Sequence, residues 1–191
     1  MKQVGRARDA WFEIESAVLA ARDSGRIRPE VALDDVPAPV RLSKHGLAIN
    51  GEILDGEDEL AHGRFVLLHE PGGQDTWQGD TRIVVFVKAV LEPDLAVDPM
   101  LLDVGWDWLV ESMASHHIES TALSGTVSRT GSRGFGDIAD GTIEGAIEIR
   151  ASWTVVPEDA AASLLAWCDL LATAAGLVPL QDGVRALRVR S

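Results

Sequence analysis

The most apolar predicted strand of the chain, residues 81–91, is the feature that most constrains the fold. In a β-strand, successive side chains point to opposite faces, so residues two apart share a face. One face of this stretch is purely apolar and the other mixes two cations with three apolar residues, in the sets Ile83, Val85, Val87, Ala89, Leu91 and Arg82, Val84, Phe86, Lys88, Val90. A strand with one apolar face and one partly shielded face is typical of antiparallel sheets. The pattern therefore predicts a sheet whose main core lies on one side.

A helix is predicted soon after this strand. Asp98 and Pro99 form a helix start, because aspartate can accept the unpaired N–H groups of a first turn and proline has the φ angle that the turn requires. Helical spacing then places an apolar set in one narrow arc and an acidic set opposite, namely Leu102, Trp106, Leu109, Met113 and His116 against Asp103, Asp107 and Glu111. We expect the apolar stripe to pack on the sheet and the acidic stripe to face water.

The same periodicities predict the remaining elements. One helix covers residues 9–22 and another begins at Pro157 and ends at Gly176, while further strands cover residues 45–54, 61–70, 120–130 and 143–153. Prolines indicate an extended connector at residues 26–45, and residues 177–191 form a C-terminal tail. Residues 1–191 are thus predicted to form a single α+β domain. It has two layers, with an antiparallel five-stranded sheet and three helices in the order α-β-β-β-α-β-β-α.

Composition narrows the classes of partner. A net charge of −13 and a pI near 4.7 argue against nucleic acid, because phosphate binding depends on clustered Lys and Arg. The charge either keeps the protein soluble by self-repulsion or offers an acidic surface to a basic partner. Cys168 is the only cysteine, which indicates an unreactive core thiol and no disulfide framework. Because the sequence shows no signal peptide and no membrane-spanning run, we expect a cytoplasmic protein with no membrane partner.

His116 and His117 are the first candidates for a ligand site, because imidazole binds metals and titrates near neutral pH. Neighbouring helical residues point about 100° apart, so the two rings do not easily reach one ion, and histidines in a last turn also stabilise the negative end of a helix. The loop from Gly131 to Asp137 could offer Arg133 and backbone N–H groups to an anion. It lacks the Lys-Ser/Thr of a phosphate loop, and a flexible hairpin loop is the alternative.

The acidic stripe of the second helix and the hydroxyl row of residues 120–130 are both typical of solvent-exposed surfaces. Asp103, Asp107 and Glu111 could hold a divalent cation, although a solvated acidic stripe is far commoner. Hydroxyl side chains alternate along residues 120–130, but spacing places no Asp–His pair to activate one of them. The sequence therefore predicts no catalytic residue, no metal site and no cofactor.

An apolar surface is the stronger candidate for function. Val84, Phe86 and Val90 share the strand face opposite the main helical layer, and Trp108 lies at the flank of its helix. Either the first helix covers these residues, or they form an exposed patch that contacts a partner or a second copy.

Five short segments carry a resemblance to a known family. They are residues 36–42 (VPAPVRL), 63–69 (GRFVLLH), 104–108 (VGWDW), 124–127 (SGTV) and 149–153 (IRASW). These segments look like the actinobacterial family called domain of unknown function 3000, with similarity over nearly the whole chain. The resemblance implies a bacterial cytoplasmic protein and brings no established activity. The predicted element order also resembles the secretion-chaperone-like fold of type III secretion chaperones and related regulatory proteins.

Two hypotheses about function follow. The preferred one is a non-enzymatic protein-binding or regulatory domain, chaperone-like and homodimeric, that uses the open sheet face or an exposed part of the second helix. The alternative is a small-molecule-binding protein or enzyme with a cleft near His116, His117 and the loop from Gly131 to Asp137.

Overall fold

The computed structural model describes residues 2–39, 41–138 and 144–178, which hold three α-helices and six β-strands. In chain order these are α1 (Lys2–Asp23), β1 (Val31–Val36), β2 (His45–Asp55), β3 (Asp58–Gln74), β4 (Gly79–Leu91), α2 (Leu101–Ser115), β5 (Ser120–Ser132), β6 (Glu144–Val155) and α3 (Ala160–Ala174). None of the helices in these ranges is both long enough and apolar enough to cross a membrane. The end of the predicted tail, residues 179–191, and the predicted strand start at residue 143 lie outside the described ranges.

The sheet has six strands, so the prediction of five was wrong. Its order is β1-β2-β3-β4-β6-β5, every pairing is antiparallel, and the elements run α-β-β-β-β-α-β-β-α. The missed strand is β1, which lies inside the predicted connector at residues 26–45. Pro29 and Pro37 flank β1 and leave it free to pair, and Val31 buries its side chain beside its partner Ile53 on β2.

The alternation along the strands sorts the sheet into two unlike faces, as predicted. Val85 is 2% exposed and Ile147 is 0% exposed, and both belong to the main core. All three helices contribute to this core, which makes the fold a two-layer α+β arrangement with its helices on one face. The other face of the sheet is called the open face below.

Helix α3 lies closest to the middle of the sheet because Trp167 sits over two glycines. A methyl group added at Gly51 would lie 2.7 Å from the Cη2 atom of the Trp167 indole. A methyl group at Gly63 would collide with the carbonyl oxygen of Phe86, which accepts a 3.3 Å hydrogen bond from the Trp167 Nε1. The missing side chains therefore leave the space that the indole fills.

The ends of the two later helices are closed by the same motif. Gly176 follows α3 with φ of 76°, its N–H bonds to Thr173, and the N–H of Leu177 bonds to Ala172, which confirms the predicted end of the helix. After α2, His117 takes the corresponding left-handed position with φ of 54°. The start of α2 lies two residues beyond Pro99, and Asp98 accepts the N–H of Met100 at 2.8 Å.

Gly51→Ala is expected to lower the free energy of unfolding by about 1–3 kcal/mol, because the new methyl forces the indole of Trp167 to move in a packed core. Urea unfolding of the purified variant measures this loss. In the double variant Gly51→Ala/Trp167→Phe, the shorter ring no longer reaches the methyl. The loss should then be smaller than the sum of the two single losses, and strict additivity would contradict the assigned contact.

Candidate functional site

The open face carries three of the four residues predicted to form an interaction surface. Val84 and Phe86 are half-buried on β4, and Val90 is 61% exposed near the end of that strand. Helix α1 does not lie over them, because its Ile14 and Val18 join the main core beside α3. Among the described residues, no helix covers the open face.

The centre of the open face is a row of side chains that runs across the sheet. Strand register places Asn50, Arg64, Phe86, Arg150 and Thr126 side by side on five neighbouring strands. The Arg64 Nε donates to the Asn50 amide oxygen at 2.8 Å, and the Arg150 guanidinium lies 4.7 Å from the centre of the Phe86 ring. These contacts hold both guanidinium groups and the aromatic ring in the middle of the face.

One end of the open face is covered by the chain itself. Ala48, Val66 and Leu68 form a second, smaller core, and Val36, Ala38, Trp77 and Val84 pack against it. The cover comes from the segment after β1 and from the β3–β4 turn. The open face is therefore covered by the chain itself at one end and uncovered over the rest.

The uncovered part of the open face contains two surface depressions. One depression of about 570 Å³ lies over Val66, Val84, Phe86, Arg150 and the hydroxyls of Ser124, Thr126 and Ser152. A second of about 580 Å³ adjoins it over Asn50, Glu52, Glu59 and His62. Arg64, Phe86 and Arg150 border both depressions, so they lie on the ridge between them.

A third arginine on the same face is buried. Arg82 is 8% exposed and donates to the Ala122 carbonyl at 3.0 Å, to the Thr154 hydroxyl at 3.1 Å and to the Ser152 hydroxyl at 2.6 Å. Burial lowers its pKa, because desolvation disfavours the charged form. All three acceptors are neutral, and the bond to Ala122 holds the irregular start of β5, where Ala122 has φ of 49°.

Trp108, the fourth predicted surface residue, lies in the helical layer on the other side of the sheet. It borders a cleft of about 650 Å³ between α2, α3 and the segment after α1, together with Arg26, Arg28, Glu111, His116 and Asp169. The structure therefore separates Trp108 from Val84 and Phe86. It places Trp108 beside one of the predicted ligand residues instead.

The predicted ligand residues are not brought together. His116 caps the end of α2, and its Nε2 lies 2.6 Å from the Asp169 carboxylate of α3. His117 is exposed after the helix end, in the left-handed turn. Arg133 follows the far end of the 13-residue strand β5, roughly 40 Å away at the usual rise per residue, and its guanidinium lies 5.8 Å from the Phe135 ring.

The acidic residues of α2 and the single cysteine do not form a ligand site in the described part of the chain. Asp103, Asp107 and Glu111 are exposed along α2, and the described residues contain no group of three or more His, Cys, Asp or Glu side chains that could hold a metal ion. Cys168 is buried, and burial raises the pKa of its thiol, which makes it a poor nucleophile.

A buried histidine lies where α1 meets the sheet. Trp11 of α1 stacks on His45 at 5.4 Å and on His69 at 6.2 Å, and the Nδ1 of His69 is 3.0 Å from the Thr81 hydroxyl. Burial lowers the pKa of His69, since desolvation disfavours the imidazolium, and nearby His45 adds to the effect while Asp80 opposes it.

His62 lies on the open face, 5.8 Å from the Phe86 ring.

A family model described as "Protein of unknown function (DUF3000)" matches residues 12–185. No curated protein and no solved structure matches the chain.

The free energy of unfolding is expected to fall as the pH drops below about 6.5, the ordinary pKa of histidine. The pKa of His69 is lower in the folded chain than in the unfolded chain. As the pH falls, the unfolded chain therefore binds the proton first, and this lowers the free energy of unfolding until the pH reaches the pKa of the folded chain. Urea unfolding at pH values from about 7.5 down to 5 measures the slope. The variant His69→Gln places an amide near Thr81 and does not titrate. Its free energy of unfolding should therefore depend less steeply on pH. Equal slopes in the two proteins would show that His69 contributes nothing.

Proposed function

This chain belongs to the family described as protein of unknown function (DUF3000), and we propose that it is a protein-binding or regulatory domain that holds a partner on the open face of its sheet. Family membership supplies no activity, so the proposal depends on the site itself. The observation that carries it is the row of Arg64, Phe86 and Arg150 between two depressions of a face that no helix covers among the described residues.

The residue types in this row are those that dominate protein interfaces. Arginine and aromatic side chains are enriched at interface centres and account for much of the binding energy found by alanine scanning. Phe86 supplies a half-buried ring, and Arg150 covers that ring while keeping hydrogen-bond donors toward solvent. Val66 and Val84 extend the apolar floor beside them. A partner could therefore bury apolar groups and pair with the guanidinium groups at the same place.

Charge indicates the chemistry of the partner. The whole chain has a net charge of −13, yet Arg64, Lys88 and Arg150 are exposed on the open face of three central strands. Glu148 pairs with Arg150 at 2.8 Å, and the acids Asp34, Glu52 and Glu59 line the outer depression, away from the middle of the row. A segment with carboxylates and one apolar or aromatic side chain complements the row, and the acidic remainder of the surface repels such a segment elsewhere.

Binding without catalysis is the better interpretation of this face. The Ser152 hydroxyl accepts from Arg82, and Thr126 and Ser124 lie beside Arg150 and Gly125. Among the described residues that line this depression, no histidine or carboxylate is hydrogen-bonded to these hydroxyls. A hydroxyl needs such a partner to be activated as a nucleophile. A chaperone-like role, in which the face holds a segment of another protein, fits these groups.

The cleft beside His116 supports a second candidate function, the binding of a small molecule. Its volume of about 650 Å³ is within the usual range of ligand sites. Arg26 and Arg28 come from the segment after α1, His116 from the end of α2, and Trp108 forms an apolar side. Arg28 bonds to the Val178 carbonyl and to Glu30, and His116 pairs with Asp169, so Arg26 is the cation of this cleft that could pair with a small carboxylate or phosphate compound.

Phe86→Ala and Arg150→Ala should each weaken capture of the native partner by about tenfold or more, because central aromatic and arginine residues usually contribute over 1.4 kcal/mol. The measurement is capture from an extract of cells that naturally contain the protein, quantified by mass spectrometry. Phe12→Ala, which removes an exposed phenylalanine ring from α1, is the control and should capture as the wild type does. The captured segment should be acidic. A partner retained equally by all four proteins would contradict the proposal.

A small carboxylate or phosphate compound that occupies the cleft should raise the Tm of the wild type by mass action. A thermal-shift panel of such compounds measures the effect, and Arg26→Ala or His116→Gln should remove it. Arg133→Ala deletes a cation at the far end of β5 and should leave the shift intact. If no compound raises the Tm, or if Arg26→Ala responds as the wild type does, this candidate is excluded.

A further inference from the structure

The two outer edges of the sheet are protected to different degrees. The β1 edge is 6 residues long and carries two exposed aspartates, Asp34 and Asp35, and Asp35 is paired with Arg22 at 2.6 Å. Charged side chains and short length are the usual protections of an edge strand. The β5 edge is 13 residues long, and in the described part of the chain no strand pairs with its outer side. A long edge of this kind offers unpaired backbone groups to another strand.

The composition of β5 adds to this contrast. Residues 120–136 contain no Asp or Glu, although the chain has 30 acidic residues in 191. The only charged side chain of β5 is Arg129, whose guanidinium donates to the Asp98 carbonyl on the helical side. The strand is otherwise made of Ser, Thr, Gly, Ala, Leu and Val. Its outer edge is therefore neutral on a strongly acidic protein.

An apolar stripe on α2 lies directly beside this edge. Leu102, Trp106 and Val110 recur every four residues on one flank of the helix, and Leu102 and Val110 are 41% and 42% exposed. Trp106 fixes the orientation of the flank, because its ring packs over Gly125 of β5, where an added methyl would be 2.8 Å from the indole Cζ3. The opposite flank of α2, with Trp108, faces the cleft beside α3. The stripe thus has no helix next to it in the described residues.

We infer that the outer edge of β5 and the stripe of Leu102, Trp106 and Val110 form one self-association surface, on which a second copy of this chain places its own β5 and α2. The inference is independent of the open-face proposal, because the two surfaces share no apolar residue. It requires the backbone of β5 to pair with its own copy in the antiparallel sense.

Symmetry explains why a second copy fits. A two-fold axis perpendicular to the sheet brings β5 beside its copy in the antiparallel direction and keeps the helices of both copies on the same side. The two α2 flanks then meet above the joined strands, stripe against stripe. Such a contact must be self-complementary, and a neutral strand and an apolar stripe satisfy this requirement where a charged patch does not.

Net charge restricts self-association to this region. Two copies with a charge of −13 each repel one another, and the repulsion is weakest where acids are absent. The exposed acids of α2, Asp103, Asp107 and Glu111, lie on the adjoining face of the helix rather than on the stripe. Added salt screens the remaining repulsion, so association should become tighter as ionic strength rises.

Joining the sheets also extends the open face. The row of Arg64, Phe86 and Arg150 ends at Thr126 on β5, next to the proposed axis. The two rows of a dimer would then run toward each other across one continuous face. A long acidic segment could contact both copies.

Sedimentation equilibrium of the full chain tests the inference. The wild type should be a dimer, and the pair of changes Leu102→Asp/Val110→Asp should weaken it by about tenfold or more, since the change buries like charges against each other. Phe12→Asp places the same charge at an exposed apolar site on α1 and should leave the dimer unchanged. Circular dichroism verifies that each variant is folded.

Disulfide trapping locates the axis directly. In a two-fold antiparallel pair, one residue meets its own copy with Cα atoms about 4.5–5.5 Å apart, which is within disulfide range. Single cysteine variants at each position from 124 to 130 cover both faces of the strand, and at least one should form an intermolecular disulfide, whereas Ser16→Cys on α1 should not. A monomeric wild type overturns the inference. So does a dimer that tolerates the α2 changes and traps at none of the β5 positions.

Discussion

The contact between Trp167 and the glycines of the central strands is the constraint on which the rest of the structure depends. Gly51 and Gly63 lack side chains where the indole lies, and this absence lets α3 approach the middle of the sheet. With α3 seated there, α1 and α2 pack beside it and complete a single helical layer. The opposite face of the sheet is then left to side chains that tolerate water. The location of the candidate site is therefore a consequence of how one tryptophan is accommodated.

Strand order decides which side chains meet on that face. Arg150 reaches Phe86 only because β6 inserts between β4 and β5, so that residues far apart in the chain become register partners. Arg64 joins them because β3 borders β4 on the other side. Burial then separates the arginines by role. Arg82 is enclosed by neutral acceptors and holds the start of β5, whereas Arg64 and Arg150 keep access to solvent. The same residue type is enclosed in one row and exposed on the open face in the next.

Much of the sorting between faces could be predicted from the sequence, because period-two alternation is a local property. Val85 and Ile147 are buried as expected, and the end of α3 at Gly176 follows from local turn chemistry. Strand β1 escaped prediction because it is only 6 residues long and its neighbouring prolines suggested a connector. The sequence alone groups Trp108 with Phe86, because a helical wheel does not show which flank of a helix meets another helix. The sequence also groups His116 with Arg133, because it does not give the distance between two positions that flank a strand, and in the structure the length of β5 separates them.

The two edges of the sheet differ in the features that protect a strand from pairing with another strand. Strand β1 carries aspartates and an ion pair to α1, which prevent another strand from adding to it. Strand β5 lacks acids, is twice as long, and has an apolar helix flank above it. If edge protection were needed only to avoid aggregation, the longer edge would need it more. Its absence at β5, in a chain otherwise rich in acids, is explained when that edge is paired in the functional state.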